Sequence, residues 1–126
     1  MFTHVMVGTN DMQAAAKFYD AVLGTLGLKP FEMPNRPVRA YPGDGVSFTV
    51  CEPRNTQPAT ANNGGTIGFK AESAEQVDAF HAAGLANGGT DAGEPGPRPN
   101  APGNAYGAYL RDPDGHKICA FTQLKD

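Results

Sequence analysis

Two residues of this sequence have side chains suited to acid–base or nucleophilic chemistry near neutral pH. His4 lies in a short extended segment. Imidazole is the side chain that ordinarily exchanges protons near neutral pH, so His4 could act as a general base. Cys119 could act as a nucleophile if a neighbouring imidazolium lowered its pKa. Structural roles compete with both: a hydrogen-bonded His4 that lines a pocket, and a Cys119 buried in a strand. The sequence favours these structural roles, and His4 remains the one candidate for catalysis.

The other two histidines and the other cysteine are weaker candidates for a catalytic role. His81 falls on a predicted helix and is expected to be partly buried there, and His116 adjoins a turn, where we expect it to be solvated. Cys51 receives no role, and two cysteines are too few for a disulfide framework, so both are expected to be reduced. No phosphate-binding loop, Gly-x-Ser-x-Gly elbow or Cys-x-x-Cys pair is present.

The second half of the chain repeats the first. An offset of 62 aligns residues 3–7 with residues 65–69, and an offset of 70 aligns residues 42–49 with residues 112–119. The first offset relates His4 to Thr66, and the second relates Thr49 to Cys119. Two copies of one unit must meet along a seam, and such a seam is a natural place for a ligand pocket.

The first unit is predicted at about residues 1–53. Residues 2–8 alternate as a strand, and Asp11 or Asn10 can cap a helix with apolar residues at helical spacing that ends at Gly27. Three short strands follow, near residues 28–33, 36–42 and 46–52, the last two joined by a Gly-containing turn. A linker rich in Pro, Asn, Thr and Gly is predicted at about residues 54–64.

The second unit is predicted at about residues 65–126 and begins with a strand at 65–71. Ser73 and Gln76 form a capping box for a second helix, which ends at Gly88-Gly89. Residues 93–104 are rich in Pro and Gly, so we predict a loop with at most an edge strand, which could cover a pocket. Segments 105–111 and 116–122 form a hairpin around Asp112-Pro113-Asp114-Gly115.

Length and composition predict one soluble domain. The 126 residues suffice for a single core, 40% of them are hydrophobic, and the net charge is −3. No run of Lys or Arg forms a basic stripe, which argues against nucleic acid or an anionic membrane as a partner. No apolar segment approaches the length of a membrane span, and no signal peptide is evident. We therefore expect a cytoplasmic protein that binds a small molecule.

The order of strand, helix and three strands, repeated twice between His4 and the hairpin around Asp112-Pro113-Asp114-Gly115, resembles the vicinal oxygen chelate superfamily. Glyoxalase I, bleomycin resistance proteins and extradiol dioxygenases belong to that superfamily. The segment 17–19 and Gly88-Gly89 after the second helix add to the resemblance. It implies an α+β fold in which two tandem βαβββ units form a cup-shaped mixed β-sheet, with helices outside and a pocket within.

The resemblance also implies four metal-ligand positions, on the first and last strand of each unit. They fall on His4, the vicinity of Thr49, Thr66 and Cys119. The superfamily's metalloenzymes need His and carboxylate ligands at these positions, and only His4 is of that kind. A threonine hydroxyl is a poor ligand, and no carboxylate of the set would orient the His4 ring. We predict no cofactor and no functional metal site; if a divalent ion binds, His4 and Cys119 are its ligands.

The predicted ligand-binding set combines these four positions with aromatic and basic side chains near the mouth of the cup. Phe48 and Tyr106 could supply a stacking face and a phenol donor, and Arg98 could pair with an anion. Tyr41 and Tyr109 are further candidates. Core packing of Phe48 and Tyr109 and solvation of Arg98 are the alternatives. The predicted set is His4, Phe48, Thr49, Thr66, Arg98, Tyr106 and Cys119.

These observations predict a small-molecule-binding protein of the glyoxalase and bleomycin resistance type with a degenerate, metal-free site. A homodimer is expected because the open strand edges require pairing. The alternative is a lyase, isomerase or dioxygenase that uses His4 as a metal ligand or general base. A third hypothesis is an interaction module in which side chains fill the cup.

Overall fold

The computed structural model describes residues 1–125 as two successive units with the same order of elements. The first unit contains β1 (His4–Gly8), α1 (Met12–Gly24), β2 (Phe31–Glu32), β3 (Val38–Pro42) and β4 (Ser47–Cys51). The second contains β5 (Thr66–Lys70), α2 (Ala74–Ala86), β6 (Thr90–Pro97), β7 (Ala105–Arg111) and β8 (Lys117–Gln123). The predicted pattern of a strand, a helix and three strands in each unit is confirmed. Neither helix of the described chain is long and apolar enough to cross a membrane.

Each unit forms its own four-stranded mixed sheet, in the orders β1-β4-β3-β2 and β5-β8-β7-β6. The first and last strands of a unit pair in parallel, and the other neighbours pair antiparallel. Met6 lies opposite Thr49 in the first sheet, and Gly68 lies opposite Cys119 in the second. Met6 and Gly68 are 62 positions apart in the sequence, and Thr49 and Cys119 are 70 positions apart. These are the two offsets of the sequence repeat.

Side chains at the expected positions begin the two helices. The Asp11 carboxylate accepts a hydrogen bond from the backbone N–H of Ala14, at 3.1 Å, and caps α1. The Ser73 hydroxyl accepts from the N–H of Gln76, and the Gln76 side chain in turn accepts from the N–H of Glu72. In the usual capping box the donor would be the N–H of Ser73, so here the Gln76 side chain binds the residue before the cap. Both caps agree with the sequence prediction.

The two helices pack on one side of the sheets and share one core. A chain of aromatic rings crosses from one unit to the other through Tyr19, Phe48, Phe69 and Phe80, with successive ring centroids 4.9, 5.2 and 6.2 Å apart. Every one of these rings except Phe69 is buried. The opposite side of each sheet carries no helix, and we call it the open face. Residues alternate between these two sides along every strand.

The Pro- and Gly-rich stretch after α2 is more ordered than its composition suggests. Residues up to Pro97 belong to β6, an edge strand that pairs with β7 through two register shifts, between Asp91 and Gly93 and between Gly93 and Gly96. Such bulges are where a strand tolerates Pro and Gly. The predicted edge strand is thus present and the loop is shorter than expected, since it begins only after Pro97.

The hairpin turn of the second unit joins the two units. The Asp112 carboxylate accepts hydrogen bonds from the Tyr19 hydroxyl, at 2.6 Å, and from the backbone N–H groups of Asp114 and His116, both at 2.9 Å. His116 donates from Nε2 to the carbonyl oxygen of Gly8, at 2.7 Å. We call Tyr19, Asp112, His116 and Gly8 the interunit clasp. The expectation that His116 is solvated is wrong, because its side chain is held against β1 and the residue is only 9% exposed.

Candidate functional site

The four positions projected from the resemblance all lie on the open face. His4 is exposed at the start of β1, and Thr66 occupies the equivalent place on β5. Thr49 and Cys119, on the last strands, are only 6% and 5% exposed. His4 and Thr49 therefore lie on neighbouring parallel strands, with Thr49 two residues further along. Thr66 and Cys119 have the same relation in the second sheet.

These four side chains form a weak donor set. The Nδ1 atom of His4 lies 2.9 Å from the Thr3 hydroxyl oxygen. Burial raises the pKa of the Cys119 thiol to about 11, although the charges of Lys117 and Arg98 act in the opposite direction. The thiol is therefore protonated at neutral pH and is neither a thiolate ligand nor an activated nucleophile. Within residues 1–125, no three His, Cys, Asp or Glu side chains come together where they could hold a metal ion.

A group of cationic and aromatic side chains surrounds Cys119 on the open face. Tyr109 is the neighbour of Cys119 on β7, and its ring centroid lies 4.8 Å from the ammonium of Lys117. The guanidinium carbon of Arg98 lies 5.6 Å from the same centroid. The Phe121 ring meets the Tyr109 ring edge-on, with centroids 5.7 Å apart. We call Arg98, Tyr109, Lys117 and Phe121 the cation–aromatic cluster.

The two cations of this cluster have no acidic partner within salt-bridge distance among the residues that the structure describes. The ion pairs found there link Arg39 to Asp20 and Glu32, and His81 to Asp91, away from the cluster. Arg98 instead donates to the backbone carbonyl oxygens of Glu94, Gly96 and Pro97, which hold its guanidinium in place. The cation–aromatic cluster thus carries two positive charges that form no ion pair among the described residues.

Glycines let the aromatic rings of the cluster lie close to the neighbouring strands. A β-carbon at Gly107 would lie 2.5 Å from the Phe121 ring, and one at Gly93 would lie 3.0 Å from the Tyr109 ring. Any larger residue at these positions would lift the rings off the sheet. The glycines of β6 and β7 therefore make room for two aromatic rings, which stand nearly perpendicular to each other on the open face.

Two cavities adjoin the cation–aromatic cluster, one at Phe121 and the other at Lys117. One, of about 570 Å³, is lined by Gly68, Cys119 and Phe121 and extends to Lys70 and Glu72. The other, of about 420 Å³, lies between β1 and β5. Its lining includes Met6, Thr66 and Lys117. The second of these cavities lies at the seam between the units, where the sequence repeat predicts a pocket.

The structure separates two of the predicted binding residues from the others. The Tyr106 hydroxyl donates to the Asp78 carboxylate on α2, at 2.7 Å, so Tyr106 faces the helices. Phe48 is buried in the aromatic chain of the core, although its edge also lines an apolar groove of about 440 Å³ between the units. Arg98 and Cys119, in contrast, lie together at the cation–aromatic cluster.

Sequence reasoning missed two members of the cluster, Lys117 and Phe121. Both lie on β8 at alternate positions with Cys119, so the period of two along this strand places all three on one face. That alternation was the signal that could have found them. His81, expected to be a partly buried helix residue, is buried on α2 and pairs with Asp91 at 2.8 Å. This contact lowers the pKa of the Asp91 carboxyl.

The doubled βαβββ units, with helices on one side and a ligand-sized cavity on the other, define a glyoxalase-like protein. The chain belongs to the Glyoxalase/Bleomycin resistance protein/Dioxygenase superfamily, because the model of that family matches residues 1–120. A search of curated protein sequences found no match.

Solved structures agree with this assignment. A glyoxalase/bleomycin resistance protein from Albidiferax ferrireducens T118 is 56% identical, with a TM-score of 0.90 over 96% of this chain and 98% of that chain. A glyoxalase-related enzyme from Fulvimarina pelagi has a TM-score of 0.76 at 20% identity, over 96% and 86% of the two chains. Lactoylglutathione lyase from Agrobacterium tumefaciens has a TM-score of 0.65 at 21% identity, over 96% and 92%. At such low identities, the last two show the fold alone.

Proposed function

We propose that this protein binds a small molecule on its open face without a divalent metal ion. The observation that carries the proposal is the donor set at the four projected positions, where His4 is the single imidazole and no carboxylate is present. A divalent first-row ion needs several imidazole or charged ligands, and two threonine hydroxyls with a protonated thiol supply none. These residues do not fit the ion that the superfamily's metalloenzymes use.

Two of these residues, Thr66 and Cys119, line cavities with side chains that can hold a neutral or charged organic ligand by hydrogen bonds and apolar contact. Thr66 and Lys117 line the cavity between β1 and β5, and Cys119 and Phe121 line the larger cavity next to it. Cavities of several hundred Å³ with an apolar lining and a few polar groups are typical of small-molecule sites. Binding therefore needs only side chains that the open face presents.

Thermal unfolding with matched probes tests this proposal. We use 2-naphthoate and its neutral counterpart 2-naphthamide, each with and without EDTA. A ligand at a hundredfold excess over its Kd stabilises the folded state by about 2.7 kcal/mol, which is a rise of several degrees in Tm for a domain of this size. We expect such a rise with at least one probe and no effect of EDTA. Loss of the rise in EDTA, or no rise with either probe at millimolar concentration, would contradict the proposal.

The competing function is an enzyme that uses His4. Its side chain is exposed on the open face, and the contact of Nδ1 with Thr3 leaves Nε2 available for a proton or a metal ion. Metal analysis of protein purified without an affinity tag separates the two functions. Stoichiometric nickel, zinc, iron or manganese that disappears in His4→Ala would replace the proposal with a metalloenzyme. We expect no stoichiometric metal in either protein.

We further propose that the protein acts as a homodimer. The strands β1, β2, β5 and β6 are edges of their sheets, and unpaired edges favour association. Large apolar side chains are exposed in the first unit, at Phe2, Met6, Phe31 and Val46. Sedimentation equilibrium at micromolar concentration is expected to give twice the 13.2 kDa mass of the chain. A mass equal to that of one chain would contradict the dimer.

A further inference from the structure

We infer that the ligand of the open face is a small aromatic carboxylate, with its anionic group bound by Lys117 and Arg98 and its ring placed against Tyr109 and Phe121. The inference rests on the proposed function, because it names the ligand class for the same site.

The first argument is the charge of the cluster. Both cations lie within 6 Å of the Tyr109 ring centroid, at 4.8 and 5.6 Å, so they are no more than about 10 Å from each other. Among residues 1–125 no carboxylate lies within 4 Å of either cation. Neither charge is neutralised by an ion pair, so an anion that binds near both interacts favourably with them. Arg98 is also fixed by three backbone carbonyls, so little of its side-chain freedom remains to be lost on binding.

The second argument is the pair of aromatic rings next to the charges. Tyr109 and Phe121 are both partly exposed, and the glycines at 93 and 107 let their rings lie low on the sheet. A ligand ring can therefore contact the exposed part of either ring while its carboxylate lies near the two cations. The charged lining residues of the adjoining 570 Å³ cavity, Lys70 and Glu72, have opposite signs, so the net positive charge comes from the cluster.

The third argument is a difference between the two units. On the last strands, Lys117 corresponds to Ser47 and Phe121 corresponds to Cys51. On the strands next to them, Tyr109 lies opposite Cys119, and its counterpart Ala40 lies opposite Thr49. The first unit thus has small, neutral residues at the positions that correspond to Lys117, Tyr109 and Phe121. The repeat has diverged at these positions, while the core residues on the other side remain apolar. The anionic end of the ligand therefore belongs to the second unit.

The experiment compares the affinities of 2-naphthoate and 2-naphthamide by isothermal titration calorimetry. In the unmodified protein we expect the carboxylate to bind at least about tenfold more tightly than the amide, because charge-assisted contacts are stronger than neutral ones. Lys117→Gln is expected to remove most of this preference, and Lys117→Arg is expected to retain it. Lys17→Gln, on the exposed side of α1, is the matched control and should bind like the unmodified protein. Raising the salt concentration should weaken the carboxylate alone.

The outcomes distinguish this inference from the function on which it rests. Equal affinity for the two probes would overturn the carboxylate inference and leave small-molecule binding in place. A preference for the carboxylate that survives in Lys117→Gln would also overturn it, because the anion would then bind elsewhere. No binding of either probe would overturn both. Circular dichroism and Tm of each variant identify any loss of folding, and Lys117→Arg then decides whether charge at this position matters.

Discussion

Removal of one buried hydroxyl, in Tyr19→Phe, tests the interunit clasp most directly. The Tyr19 ring is fully buried, and its hydroxyl donates to the Asp112 carboxylate at 2.6 Å. The other carboxylate oxygen is bound by the backbone N–H groups of Asp114 and His116. Loss of a hydrogen bond to a charged group costs about 1.5–3 kcal/mol. For a domain of this length we expect Tm to fall by roughly 5–12 °C.

The size of this loss depends on pH in a defined direction. Burial raises the pKa of the Asp112 carboxyl above its usual value, and the bond from Tyr19 opposes that rise. Because the pKa of Asp112 is higher in the folded state, its contribution to the free energy of unfolding is greatest below the unfolded-state pKa. That contribution is lost as the pH rises through the folded-state pKa. Without the Tyr19 hydroxyl the folded-state pKa of Asp112 rises further. The penalty of Tyr19→Phe is therefore larger at pH 7 than at pH 4.

Urea unfolding at both pH values measures this penalty. Tyr109→Phe is the matched control, because the Tyr109 hydroxyl makes no hydrogen bond to other described residues, and we expect a change below about 0.5 kcal/mol. Tyr106→Phe removes an exposed bond to Asp78 and should cost less than about 1 kcal/mol. If Tyr19→Phe costs no more than these controls at pH 7, or costs more at pH 4, our account of the clasp is wrong.

Two further predictions concern glycine positions and thiol reactivity. Gly89→Ala is expected to destabilise the protein by about 1–3 kcal/mol, because its β-carbon would lie 2.9 Å from a backbone carbonyl oxygen. Gly24→Ala, with open space around it, should instead stabilise α1 by about 0.5–1 kcal/mol; equal Tm values for the two variants would contradict this. Alkylation of Cys119 by iodoacetamide should be slow at pH 7.5 and increase toward pH 11, since its thiol pKa is about 11. Burial also raises the pKa of Cys51, so Cys51→Ser isolates the Cys119 signal, and rapid alkylation of Cys119 at pH 7.5 would exclude a protonated, buried thiol.

The elements could be predicted from sequence because their signals are local. Asp11 and Ser73 cap helices within three residues of themselves, and the two repeat offsets reappear as the register of the parallel strand pairs. The end of β6 was less predictable, because Pro and Gly at its bulges remove the alternation that marks a strand. Local pattern thus determines most of the fold.

The site was less predictable because it depends on distant partners. His116 was expected in solvent, and its acceptor, the Gly8 carbonyl, is 108 positions away in the sequence. Tyr106 and Tyr109 occupy the same strand at an odd separation, so they face opposite sides, but the sequence does not say which side the helices cover. The packing of α2 decides this, and it directs Tyr106 to Asp78 and Tyr109 to the open face.

The interunit clasp also has a consequence for synthesis of the protein. While residues 1–64 emerge from the ribosome, the Tyr19 hydroxyl and the Gly8 carbonyl bind water, because their partners Asp112 and His116 have not yet been made. The interunit clasp therefore forms only after translation has passed residue 116, and aromatic residues of the first repeat that pack on the second stay exposed until then. If the two repeats were expressed as separate chains, the first repeat would form the interunit clasp only when the second was present.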